Sequence, residues 1–289
     1  MISPEVAQRV KEFEIHTRRM LSGSKIGSNK SRQKGFGFEF DQLRSYQYGD
    51  DVRLIDWKSS ARSPDNMFVR QYHEERNRTF MICVDVSMST NFASGQYLKQ
   101  DVMKQIAGVL SLAGEQGKDK VGLIFFSDRI EKMIPPSCGQ NHTQQLLTEL
   151  FSYKATGKKT DLNVLFDYVA ARVAKRSILF VISDFIADDF TKSLKQVTFD
   201  KEVIAISCHD KQETSMANIG LVWMQDSESG ELALINTSSK KHGIASGLQQ
   251  RLQDQKKILQ KSGIDILNVQ VPDQFMHDLI MFFQKRMIY

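Results

Sequence analysis

From Thr79 onward the hydrophobic positions alternate between two rhythms. Apolar runs of strand length occur at TFMICVD (79–85), VGLIFFS (121–127), SILFVISD (177–184), EVIAISC (202–208) and DILNVQV (265–271). Between them lie segments with helical spacing. In one, over 97–116, Val102, Ile106, Val109, Leu110 and Ala113 share a face; others cover 140–152, 162–175 and 240–262. Strands alternating with helices predict a mainly parallel sheet covered on both faces. RIEKMI (129–134) follows the second strand after a brief turn at Asp128, too short for a parallel crossover, so it is predicted antiparallel. LVWMQ and ELALIN flank DSESG as a hairpin would, and PDQFMHDLIMFFQKRM reads as a closing helix. The predicted fold is α/β: doubly wound, mainly parallel, with one antiparallel edge strand.

Ahead of this region the rhythm differs. Val6, Val10, Phe13 and Met20 predict a helix over 4–21, and a stretch rich in Gly, Ser and Lys follows. Residues 35–78 mix Gly, Asp, Arg and aromatics. The expected organisation is therefore an N-terminal helix and basic linker (1–34), a compact segment (35–78) packed on the sheet domain, and the sheet domain itself (79–289).

Composition excludes some classes. The chain has 289 residues, 41% hydrophobic and 25% charged, ample for a core without staples. Cys83 and Cys208 lie in strand-like runs and, with Cys138, form no zinc or Cys-x-x-Cys spacing, which fits a reducing compartment. No signal-peptide pattern or membrane-length apolar run is present, so a soluble, cytoplasmic protein is expected. Residues 1–78 carry 15 Lys+Arg against 11 Asp+Glu, and Arg18 to Lys34 contains no acid. Such a run could contact nucleic acid or an anionic membrane surface, but no aromatic stacking pattern or nucleic-acid motif accompanies it, and a solvated, mobile linker is the expected reading.

The candidate chemistry sits at predicted strand ends. In an open α/β sheet, ligands bind beyond the carboxyl ends of strands where the strand order reverses. Asp85 ends the first strand and Asp184 the fourth, and these strands are expected to be neighbours, so their carboxylates can converge. Ser87 and Ser89 share parity with Asp85 in Asp-x-Ser-x-Ser, and Thr160 precedes a helix in the loop Gly157-Lys-Lys-Thr-Asp-Leu. Two carboxylates and three hydroxyls are hard oxygen donors suited to magnesium, with manganese as a substitute. Each alone could be a helix cap or turn residue. Together they resemble the metal-ion-dependent adhesion site of von Willebrand factor A domains. That resemblance implies that Ser87, Ser89 and Thr160 ligate magnesium, that Asp85 and Asp184 act largely through bound waters, and that a partner's carboxylate completes the coordination.

A second signature lies upstream. Gly49-Asp50-Asp51-x-Arg53-x-Ile55-Asp56-Trp57, with Arg44 and Tyr46 before it and Ala61-Arg62 after, resembles the bacterial domain of unknown function numbered fifty-eight. Members of that family carry a von Willebrand A-like domain just after this segment. The resemblance implies a partnership with MoxR-type AAA+ ATPases in a chaperone-like or assembly role. Chemically, Asp50, Asp51, Arg53, Asp56 and Arg62 suggest a salt-bridge network docking the segment, with Phe40, Ile55 and Trp57 as buried residues.

No Walker A loop, dinucleotide fingerprint or close histidine pair is present. The reading is a non-catalytic protein-binding module. The alternatives are a magnesium-dependent phosphoesterase or nuclease using Asp85 and Asp184, and a nucleic-acid binder using the basic stretch.

Overall fold

The computed structural model describes residues 39–62, 66–73, 78–91, 98–210, 221–225, 232–236, 253, 255, 257–271 and 275–288. The expected helix over 4–21, the basic linker and most of the expected helix over 240–262 lie outside these residues. The chain divides into two compact units, Asn29–Asn77 and one carrying Arg78–Tyr289.

In the smaller unit, β1 (Glu39–Ser45) pairs antiparallel with β2 (Phe68–His73). The acid–arginine signature lies between them, and its ion pairs close locally. Both guanidinium nitrogens of Arg44 grip Asp50, with Nη1 at 2.7 Å from Oδ2. That fork, with the Gln47 backbone N–H, lowers the Asp50 carboxyl to about 2. Asp56 accepts from the Lys58 and Ser59 backbone N–H groups, capping the helical turn Trp57–Ser60, and pairs with Arg70 Nε at 2.9 Å. Ile55 is buried as expected. Trp57 is not: it opens that short turn and is 64% exposed.

The larger unit is built on a six-stranded sheet with the order β10-β7-β6-β3-β4-β5. Its strands are β3 (Thr79–Asp85), β4 (Lys120–Phe126), β5 (Ile130–Ser137), β6 (Ile178–Ser183), β7 (Glu202–Asp210) and β10 (Asp265–Val271). Every pairing is parallel except β4 with β5, which forms the antiparallel edge. β8 (Leu221–Gln225) and β9 (Leu232–Asn236) form the expected hairpin as a separate pair.

Side-chain alternation divides the core between the two faces. Ile82, Val84, Phe180, Ile182, Ile204 and Ile206 pack with α1 (Lys99–Gln116) and α2 (Gln140–Ser152). Met81, Cys83, Leu179, Val181, Val203 and Ala205 pack with α3 (Leu162–Arg172) and α4 (Thr191–Thr198). A strand buried on both sides must be apolar at nearly every position, which explains the unbroken apolar runs. The closing helix is α5 (Phe275–Ile288), whose Leu279 joins the α1 face. α4 is an addition to the sequence reading. From β3 the chain first steps to β4 on one side and later returns to β6 on the other, so the sheet's switch point lies between β3 and β6.

Candidate functional site

The carboxyl ends of β3 and β6 meet at this switch point, and the five sequence-predicted residues gather around it. Asp85 is fully buried. Its Oδ1 accepts the Ser87 backbone N–H at 3.0 Å, and its Oδ2 accepts the Ser183 hydroxyl at 2.6 Å. The chain then turns through Met88–Asn91, held by the Thr90 hydroxyl donating to the Ser87 carbonyl at 2.7 Å. This turn sets Ser87 Oγ and Ser89 Oγ 3.0 Å apart.

Thr160 arrives from the loop between α2 and α3. Its hydroxyl donates to Ser87 Oγ at 2.8 Å. The loop is pinned at several points, which is why a short irregular segment can place a hydroxyl so closely. Glu131 on β5 accepts from the Thr156 and Gly157 backbone N–H groups at 2.9 Å each, from the Thr156 hydroxyl and from the Tyr153 hydroxyl. Met88 N–H donates to the Lys158 carbonyl at 3.1 Å, tying this loop to the serine turn. Gly157 lies against Ser127 so closely that a Cβ would stand 2.5 Å from the Ser127 Cβ. Asp161 caps α3 through the Asn163 and Val164 N–H groups, leaving the preceding Thr160 free of the capping duty.

Asp184 approaches from the other side of the sheet. Val84 pairs with Ile182, so the residue beside Asp85 is Ser183, and the Asp85–Ser183 hydrogen bond follows from that register. Asp184 continues the parity of Phe180 and Ile182, which places it on the α1 face. There its Oδ2 meets the ammonium of Lys99, the first residue of α1, at 2.8 Å, and both side chains are 0% exposed. Asp184 Oδ1 accepts the Ile186 N–H at 3.1 Å. Between them Phe185 is buried with φ 55°, a left-handed conformation costly for a bulky residue. The two carboxylates nevertheless share one low-dielectric region. Burial first, and the negative charge of Asp184 second, push the Asp85 carboxyl up to about 7 against the hydrogen bonds from Ser183 and Ser87.

The donor set suits a small, hard cation. Two cis ligands of an octahedral ion with metal–oxygen bonds of about 2.0–2.1 Å stand roughly 2.9 Å apart. The Ser87–Ser89 and Ser87–Thr160 oxygen separations, 3.0 and 2.8 Å, match such edges. Among the described residues there is no group of three or more His, Cys, Asp or Glu that could hold a metal, so ligation here would rest on the hydroxyls. Sequence reasoning missed Lys99, Ser183 and Glu131. Of these only Ser183 carried a local signal, standing at the end of an apolar run.

The protein is thus defined as an α/β protein with a doubly wound sheet and an oxygen-lined cradle at its switch point. The chain belongs to the family described as proteins of unknown function DUF58, whose model matches residues 42–258. An uncharacterized protein of Mycobacterium tuberculosis is 24% identical over 287 residues, 98% of this chain and 90% of that protein. Among solved structures, the conserved hypothetical protein BatB from Bacteroides thetaiotaomicron is similar at 16% identity and TM-score 0.48, over 73% of this chain and 98% of that one. A von Willebrand factor type A structure from Catenulispora acidiphila is similar at 8% identity and TM-score 0.37, over 49% of this chain and 35% of that one. No helix among the described residues is long and apolar enough to cross a membrane.

Proposed function

We propose that this protein is a non-catalytic docking module that holds magnesium in the Ser87–Ser89–Thr160 cradle and presents it to a carboxylate on a partner protein. The observation that carries this reading is the convergence of three hydroxyls from two loops, at 2.8 and 3.0 Å, over the buried Asp85. Neutral ligands leave a divalent ion electrophilic, so it attracts a further anionic oxygen. Asp85 lies beneath the cradle as a carboxyl whose charged form a bound cation would favour, while Ser183 and the Ser87 N–H fix its orientation. Bound magnesium supplies a directional contact for an Asp or Glu; manganese is an acceptable substitute.

The partner we favour is a MoxR-type AAA+ ATPase, a reading that rests on the resemblance carried by residues 44–62. Nucleotide chemistry then belongs to the partner, since this chain has no phosphate-cradling Walker loop. A cytoplasmic setting is supported by three free cysteines. The test is affinity for the ATPase in magnesium and in chelator, using wild type and Ser87→Ala. Docking that weakens in both chelator and the variant supports the reading. Unchanged affinity in chelator would sink it, and robust phosphoesterase activity of the purified chain would favour the hydrolase alternative.

A further inference from the structure

Lys99 is a charged side chain with no exposed surface, and its ammonium lies against one of the two carboxylates at the switch point. Burying a lysine is costly unless its charge is met, so its position at the start of α1, aimed into the sheet's carboxyl edge, is a built feature. The 18-residue α1 also presents the positive end of its backbone dipole there. Asp184 is held by Lys99 on one oxygen and by the Ile186 N–H on the other. Its charge is therefore balanced by a resident cation before any ion arrives.

We propose, on the reading that the cradle holds a divalent ion, that Lys99 is a built-in counter-cation that sets how tightly the ion is held. By balancing Asp184 it removes part of the attraction for a divalent cation. The ion is then held weakly by the module alone and firmly once an anionic group from a partner adds its charge. Occupancy and docking become coupled: each favours the other by the same factor. A cradle facing two unbalanced carboxylates would instead hold its ion tightly and leave it less need of a partner's oxygen.

The experiment uses the full chain and manganese alone as the probe, with bound and free ion separated by the paramagnetic resonance signal of free Mn2+. Lys99→Met removes the charge and keeps the side chain's length. It is expected to bind manganese about 10- to 100-fold more tightly than wild type. The double variant Lys99→Met/Asp184→Asn replaces the buried ion pair by a neutral pair of similar volume, a change that buried pairs commonly tolerate. Its affinity is expected to return to within about threefold of wild type, because the charge that Lys99 opposed is gone as well. An unchanged or weakened affinity in a folded Lys99→Met would overturn the proposal. So would a double variant that keeps the gain, or one that binds more than about tenfold worse than wild type, since Asp184 would then be holding the ion itself. If Lys99→Met does not fold, Asp184→Asn alone, which leaves the Lys99 charge unbalanced, is expected to bind manganese about 10-fold more weakly than the double variant, and equal affinity of the two would overturn the proposal. Wild type that takes up no manganese at all would refute the metal reading, a result distinct from binding that ignores Lys99.

Discussion

Adding one methyl group at Gly157 should disturb both the stability of the fold and the placement of Thr160. A Cβ there would meet Ser127 Oγ at 2.0 Å, Ser127 Cβ at 2.5 Å and Asp128 Oδ1 at 2.8 Å. Ordinary contacts begin near 3.4 Å, so something must move by about 1 Å. Ser127 resists. It is fully buried, its N–H donates to the Arg129 carbonyl, and its own carbonyl accepts the Asp161 N–H at 3.0 Å. The loop resists through Glu131, which accepts the Gly157 N–H at 2.9 Å. Overpacking of a well-fixed site costs about 1–3 kcal/mol. For a domain of this size that corresponds to a Tm lowered by roughly 3–10 °C. The loop is the softer side, so Thr160 is expected to leave its 2.8 Å contact with Ser87. Thermal unfolding of Gly157→Ala, followed by manganese titration, measures both effects. A Tm within about 1 °C of wild type together with unchanged affinity would refute the close-packing argument.

Other consequences are open to separate measurement. Glu131→Ala should leave two backbone N–H groups without their acceptor, lowering stability by about 2 kcal/mol and speeding hydrogen exchange at the Thr156 and Gly157 amides; protection equal to wild type would show that another group holds the loop. Asp119, which accepts the Arg78 N–H at 3.0 Å, is pushed up to about 6 by burial, with that hydrogen bond and the Arg78 charge opposing. Its folded form therefore binds a proton more tightly than the unfolded chain does, so its contribution to stability is present at low pH and is lost as pH rises from about 4 to 6. Asp119→Asn should abolish a loss of order 1 kcal/mol across that window, discounted for partial exposure; urea unfolding at pH 4.5 and 7 reads the difference, and parallel pH profiles would contradict it.

Much of the sheet domain was legible because burial on both faces forces apolar runs of strand length, and those runs stand out in any sequence. The antiparallel β5 followed from the shortness of the turn at Asp128, with no tertiary information needed. The site was legible where it coincides with strand ends: Asp85 with its two serines, and Asp184. Asp184 lies one residue past β6, which ends at Ser183, and its pairing with Lys99 of α1 has no local pattern in the sequence. Lys99 was invisible for a related reason. It opens an amphipathic helix in QYLKQDVMKQ, where a lysine reads as solvated, and only the docking of α1 onto the sheet shows the charge to be buried. Trp57 erred in the opposite direction: aromatic bulk suggested burial, but a four-residue turn leaves its first residue exposed. Glu131 acts through four hydrogen bonds to a loop about 25 residues away, a relation with no local pattern.

Anomalous diffraction from crystals grown or soaked with manganese would locate a divalent ion held by three hydroxyls from two loops. One strong peak is expected at about 2.0–2.3 Å from Ser87 Oγ, Ser89 Oγ and Thr160 Oγ1, lost in crystals of Ser87→Ala whose fold is otherwise unchanged. A peak placed elsewhere, or none at this cradle at saturating manganese, would contradict it.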